Sequence, residues 1–407
     1  MRIAFGTYPA RATALALAAA ALVAGCGSTK KEDLAHGSTL TIYTSLPRHG
    51  VSARDADAVA AGERLALADA GGRAGGRRLR LVELDDSAPG KGTTWDGSTV
   101  EENAKRAAKD PSTIAYIGEL DFGGSAISVP VTNAKGILQV SPGDGLTSLT
   151  QLQPGGFKTG PERYYPKGFR TFLRLVPTDL RQVDQLIGWI RSRGDRRLAI
   201  VHDDRVFGRE MAVQAMAAAG SHDVSVVRVT EAPDAGSYAG VVRKLASKDP
   251  DAVAYLGVGD PPTADLLRRL ASAMPGVPLY GSSGLAVDPA ALKGAPDVDL
   301  LDATLPASSY GRDGERVLER LRRQVGGPVP VAALYGYEAM RVVLDAMDRA
   351  GRRSADRDAV ARAALVPRTR HSVIGTYSLS RSGDVAPVRF AAYRLDDGED
   401  RLVPYPQ

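Results

Sequence analysis

Two short stretches of this chain carry residue types suited to holding a small anion. Ser141-Pro142-Gly143-Asp144-Gly145 ends an apolar run, residues 137–140, with residues that break strands and leave backbone N–H groups free. Phe122-Gly123-Gly124-Ser125 does the same after Ile114-Ala115-Tyr116-Ile117-Gly118, at the start of a predicted helix. Free N–H groups at such points are donors for a carboxylate or phosphate. Side by side, the two loops would form one wall of a ligand crevice at the carboxyl edge of a parallel sheet.

Catalytic and cofactor motifs fail on spacing. Gly90-Lys91 has no glycine five residues upstream, and Gly92 stands where a phosphate loop needs Ser or Thr. Gly281-Ser282-Ser283-Gly284 continues to Leu285, not to the glycine of a nucleophile elbow. Gly257-Val258-Gly259 is followed by Pro262 where a dinucleotide fingerprint needs glycine. The histidines, His36, His49, His202, His222 and His371, show no metal-ligand spacing. The reading is therefore of a binding protein without catalytic residues, cofactor or metal.

The elements that must position these loops alternate regularly. A strand over 40–44 leads to a helix in which Val59, Gly62, Ala66 and Ala70 recur at helical spacing and Gly71-Gly72 ends it. A strand over 79–84, a surface loop over 89–99 and a helix from near Thr99 follow, and the two strand-loop units above complete a first sheet. After irregular residues 151–168, a strand-like segment spans 169–176. The pattern then repeats: a helix marked by Val183, Leu186, Ile187 and Ile190, a strand over 196–201, a helix over 211–219 capped by Gly220, and a strand over 224–229. A helix over 238–247, a strand over 252–256, a helix from Thr263 and a strand over 279–283 complete it. Strands alternating with helices predict parallel sheets covered on both faces, here as two lobes built alike. Late helices near 315–323, around Met340, Val343, Leu344 and Met347, and over 358–365 precede two antiparallel strands, 372–379 and 388–395, about a turn at 381–384. The chain thus passes between lobes more than once.

With 407 residues, 43% hydrophobic and 24% charged, the chain is long enough for two lobes with separate cores. A formal charge of +5 raises nucleic acid as a partner, but the arginines are scattered among acids without a basic run or interleaved aromatics, so nucleic-acid binding is excluded. At the N-terminus, Arg2 and Arg11 frame a positive segment, 12–24 is apolar but short, and Val23-Ala24-Gly25-Cys26 follows. This resembles a bacterial lipoprotein signal over 1–25, implying acylation of Cys26, the single cysteine, and a polar tether over 26–37. Without a second hydrophobic run of about 20 residues, that lipid would be the membrane anchor of an extracytoplasmic protein.

From Gly37 to about residue 400 the chain resembles the Leu/Ile/Val class of type I periplasmic binding proteins, the branched-chain amino acid binding proteins of ABC transporters. The resemblance rests on ordered pieces: residues 81–86; Tyr116-Ile117-Gly118; Val140-Ser141-Pro142 with Leu149-Thr150; Ala199-Ile200-Val201-His202-Asp203 with Phe207-Gly208; Leu334-Tyr335-Gly336-Tyr337-Glu338-Ala339; and Ile374-Gly375-Thr376 through Gly383-Asp384. It implies an α/β fold of two doubly wound parallel-sheet lobes joined by a three-strand hinge, with lobe 1 from 38–175 plus 309–375 and lobe 2 from 176–308 plus 376–407. Hinge passages are expected near 174–179, 303–310 and 375–379. It also implies a small-molecule ligand, hinge closure over it, and a membrane permease that reads the closed form.

Carried over residue by residue, the family's site places the ligand carboxylate against Phe122, Gly123, Gly124, Ser125, Gly143, Asp144 and Gly145, with Phe207, Gly259, Asp260 and Ser283 facing it from lobe 2. The residues also depart from the family's pattern. Gly145 stands where a threonine helps hold the ligand ammonium, Phe122 replaces a serine, Ser283 falls at or near the acid that pairs with that ammonium, and the aromatic lid falls near Arg54 or Asp55. Asp144 or Asp260 is the candidate for the missing negative charge. These departures open the ligand to other small acids and amides, and leave a ligand sensor or a cell-envelope interaction protein as alternatives on the same fold.

Overall fold

The structure, a computed structural model, describes residues 33–87, 95–120, 122–154, 160–396 and 402–405. Its first part runs β1 (Thr39–Leu46), α1 (Ala53–Asp69), β2 (Arg73–Ala74), β3 (Arg77–Asp85), α2 (Gly97–Lys109), β4 (Thr113–Ile117), α3 (Ser125–Ala134), β5 (Leu138–Ser141) and β6 (Phe172–Arg174). The strands form one sheet, β2-β3-β1-β4-β5-β6, parallel except for β2. β1, β4 and β5 are buried along nearly their whole length because helices cover both faces; Leu40, Ile42, Ile114, Ile117 and Leu138 have no exposed surface.

The second part runs α4 (Asp179–Ser192), β7 (Arg197–His202), α5 (Val206–Ser221), β8 (Ser225–Glu231), α6 (Tyr238–Ala246), β9 (Ala252–Leu256), α7 (Pro261–Ala273), β10 (Leu279–Gly281) and β11 (Val298–Asp302). Its strand path, β8-β7-β9-β10-β11, repeats β3-β1-β4-β5-β6 of the first sheet, so the expectation of two lobes built alike on doubly wound parallel sheets holds. The chain then adds α8 (Gly311–Val325), α9 (Ala332–Ala350), α10 (Arg357–Ala364), β12 (Thr369–Ser372), β13 (Gly375–Leu379), β14 (Val385–Ala386), β15 (Ala391–Leu395) and β16 (Leu402–Pro404). α9 lies against α1 at very close range: a Cβ on Gly62 would stand 2.0 Å from the Ala333 carbonyl oxygen, and one on Gly336 2.1 Å from that of Val59. Only glycine permits that approach.

Three sequence expectations change. The late hairpin is wrongly paired: β13 pairs with β12 and β14, whereas β15 pairs antiparallel with β11 and extends the second sheet. The third passage between the sheets therefore comes at 387–390 and not at 375–379, which lies within β13. The turn at 381–384 is present, with Gly383 N–H donating to the Ser380 carbonyl, and Gly383 also accepts from Arg174 N–H of β6. α5 begins at Val206, five residues before the expected 211, which puts Phe207 in its first turn. β11, unread in the sequence, supplies the last parallel strand of the second sheet.

Candidate functional site

The carboxyl ends of the two sheets face one another across a cleft of about 110 Å³. Space for one water takes roughly 10–15 Å³, so the cleft admits a small organic molecule. The β4 and β5 loops contribute Phe122, Pro142, Gly143 and Gly145; the second sheet's side contributes Phe207 and Ser283. Each passage between the sheets also reaches the wall, with Pro177 on the first, Ala303 and Thr304 on the second, and Phe390 on the third. A molecule bound here would touch both sheets and all three passages, which is where closure would be sensed.

The donor-rich loops fold as the residue types require, but four of their N–H donors, those of Gly123, Ser125, Gly143 and Asp144, are already used. The Asp144 carboxylate accepts from Gly123 N–H at 3.1 Å and Leu146 N–H at 3.0 Å through Oδ1, and from Ser125 N–H at 3.0 Å through Oδ2. Gly143 and Asp144 N–H groups donate to Ser141 Oγ, and the Ser125 hydroxyl accepts from Glu119 N–H. Thus the protein's own carboxylate occupies the anion nest at the start of α3. Behind it, the fully buried Arg174 donates to the Asp144 carbonyl oxygen at 2.9 Å and to Thr150 Oγ1 at 3.0 Å, and its guanidinium lies 3.1 Å from Asp384. Phe122 sits at φ 51, a left-handed conformation rare for a bulky residue, and its ring centroid is 4.6 Å from that of Phe207. This pair joins the two sides of the cleft.

Three carboxyl groups line the cleft. Asp179, the first residue of α4, is 7% exposed, and among the described residues its carboxyl has no hydrogen-bond or ion-pair partner. It fills the space left by Gly145: a Cβ there would stand 2.2 Å from Asp179 Oδ1, and Asp179 N–H donates to the Gly145 carbonyl at 2.7 Å. Burial, reinforced by the nearby charges of Asp144 and Glu210 and opposed by Arg174, holds the Asp179 carboxyl well above the usual carboxylate range. Asp55, in the first turn of α1, is pushed by burial up to about 6, with Arg54 opposing and Asp288 adding. Asp302, at the end of β11, is pushed by burial up to about 7; N–H groups of Thr304 and Ala303 oppose the shift and Asp55 adds to it. Beside them, Gln182 is fixed by its own bonds, donating to the Leu301 carbonyl and accepting from Ser283 Oγ at 3.1 Å.

Of the residues singled out in the sequence, Phe122, Gly143, Gly145, Phe207 and Ser283 line the cleft. Gly123, Gly124 and Ser125 are buried behind it around Asp144, which is itself fully buried. Gly259 bonds to the Gly284 carbonyl inside the second sheet's loops. Asp260 caps α7 through Thr263 and pairs with Arg205 at 3.0 Å, so it is not turned to a ligand. Arg54 is exposed to solvent and its neighbour Asp55 takes the inward position. Sequence reading missed Asp179, Asp302 and Phe390. Gly145 was the one signal of Asp179, since a lost side chain leaves room that a neighbour must fill. Cys26 and the segment 1–25 lie outside the described residues. Among the described residues no helix is long and apolar enough to cross a membrane, and no group of acidic, histidine or cysteine side chains is placed to hold a metal ion.

Comparison with known proteins bears on this arrangement. The sequence profile of the periplasmic binding protein family matches residues 39–399. A Leu/Ile/Val-binding protein homolog of Brucella melitensis is 24% identical over 289 residues, 68% of this chain and 72% of the relative. Among solved structures, a leucine-binding protein of Thermotoga maritima superposes with a TM-score of 0.72 at 17% identity, over 90% of this chain and 98% of that one. An ABC transporter solute-binding protein of R. palustris in complex with benzoate gives 0.71 at 19% identity, over 90% and 95%.

Proposed function

This chain belongs to the periplasmic binding protein family, a family of binding proteins and not of enzymes, and from that premise we propose that it is the extracytoplasmic solute-binding protein of an ABC importer. In this reading one lobe is built on the first sheet with α8 to α10 and the small β12–β14 sheet, and the other on the second sheet with β15 and β16. A small polar solute enters between them, touches Phe122, Gly143, Gly145, Phe207 and Ser283, and stabilises a closed arrangement that a permease recognises. The observation that carries the reading is the cleft itself, formed where the carboxyl ends of two like sheets meet the three passages. The relatives' names, which speak of leucine and of benzoate, support a small solute of this size. The lipoprotein-like segment ending in Cys26 supports lipid anchoring outside the cytoplasm.

A thermal-shift panel of amino acids, amides, aromatic acids and amines tests this. A solute at 100 times its dissociation constant adds about 2.7 kcal/mol to stability, a rise of several degrees in melting temperature. No shift with any solute would count against transport and favour an envelope interaction protein.

A further inference from the structure

We propose that the cleft selects a small organic cation, an amine without a carboxylate, held by Asp179 and by Asp55 with Asp302. The proposal rests on the solute-binding reading and names the ligand's chemistry. Among the described residues lining the cleft there are three carboxyl groups and no lysine, arginine or histidine. Asp179 is the second, independent sign: a buried carboxyl, without a hydrogen-bond or ion-pair partner among the described residues, on the cleft wall. Leaving such a group unpaired is costly, and a bound ammonium removes the cost.

The three acids have different charged neighbours. Asp55 and Asp302 are close enough to repel each other, whereas the charged neighbours of Asp179 are Asp144, Glu210 and Arg174. The rings of Phe122, Phe207, Phe390 and Tyr335 line the same cleft, apolar surface for an alkyl or aryl body and π faces for a cation. A carboxylate ligand meets the opposite conditions. The N–H groups of Gly123 and Ser125 already hold Asp144, those of Gly143 and Asp144 hold Ser141, and the ligand would enter beside three acids. A metal ion is disfavoured because no group of three ligating side chains converges among the described residues.

Isothermal titration of the full chain at pH 8 with 1,4-diaminobutane, benzylamine and choline, and separately with benzoate, leucine and acetamide, tests the proposal. At least one amine is expected to bind at least tenfold more tightly than the acid, the zwitterion and the amide. Asp179→Asn is expected to weaken that amine at least tenfold without lowering the melting temperature. Asp302→Asn is the second variant should Asp179→Asn fold poorly, and is expected to act in the same direction. Binding of benzoate, leucine or acetamide with all the amines silent overturns the proposal and leaves the solute-binding reading standing. Silence of every compound overturns both, and amine binding undiminished in both variants overturns the proposal.

Discussion

Replacing Asp144 with alanine removes Cγ and both oxygens from the nest at the start of α3, leaving the N–H groups of Gly123, Ser125 and Leu146 buried without an acceptor. Each buried donor left unpaired costs about 1–3 kcal/mol, so the variant should lose roughly 3–9 kcal/mol, a large part of an ordinary domain's stability. Asp144→Asn separates the contributions. Its Oδ1 can still accept from Gly123 and Leu146, but its amide would turn a donor toward Ser125 N–H, so an intermediate loss of about 1–3 kcal/mol is expected. The atoms removed in the alanine variant correspond to formate. Sodium formate should therefore raise the melting temperature of Asp144→Ala more than sodium chloride at equal ionic strength, and should not do so for the wild type. At 100 times its dissociation constant the rescue is about 2.7 kcal/mol. Melting of Asp144→Ala within a degree of wild type, or formate acting no differently from chloride, would refute the idea that the nest is an anion site filled by the protein itself.

Other outcomes follow from the same geometry. Gly143→Ala would place Cβ 2.1 Å from the Leu120 carbonyl oxygen, a backbone atom that can yield only if the β4 loop moves, so urea unfolding should show a loss of about 2 kcal/mol or more. Glu63 is fully buried with one hydrogen bond from Thr44 at 3.0 Å, and burial pushes its carboxyl up to about 8. The folded chain therefore keeps a proton that the unfolded chain loses above about pH 4.5, and stability falls as pH rises from there to about 8. Glu63→Gln should remove this slope, worth roughly 4–5 kcal/mol at most across that range, as read by denaturant midpoints from pH 5 to 8. The cleft acids face Arg54 and Asp288 at Asp55, and Arg174, Asp144 and Glu210 at Asp179; with Asp55 raised to about 6 and Asp302 to about 7, bound amine favours their ionised forms. Amine affinity should therefore fall as pH drops through 7 to 5, with proton release on binding near pH 6.5. An affinity independent of pH over that range would contradict it.

The alternating pattern of strands and helices was legible because parallel strands buried on both faces read as apolar runs, as in β4 and β9, and because Gly71 and Gly351 mark helix ends. β11 was not, because Asp299 and Asp302 interrupt Val298-Asp299-Leu300-Leu301-Asp302. Asp299 is tolerated in the sheet because Arg394 and Tyr405, about a hundred residues away, bond to it. The strand 391–395 was visible as a strand, but its partner was not, since pairing with β11 or with β13 depends on where the chain crosses and not on local residues. At the site, the glycine loops announced a donor cluster, yet only the fold shows that Asp144 fills it. Asp179 and Asp302 look in sequence like an ordinary helix-start acid and a strand end. Their shared role comes from the meeting of the first two passages.

A solute that binds between the two lobes should draw them together. Spin labels at Lys105→Cys on α2 and Met216→Cys on α5, both exposed, in a Cys26→Ser background, would report the distance between the lobes by double electron–electron resonance. Saturation with the tightest-binding compound of the titration series should shorten and narrow the distance distribution. An unchanged distribution at saturation would contradict this closure.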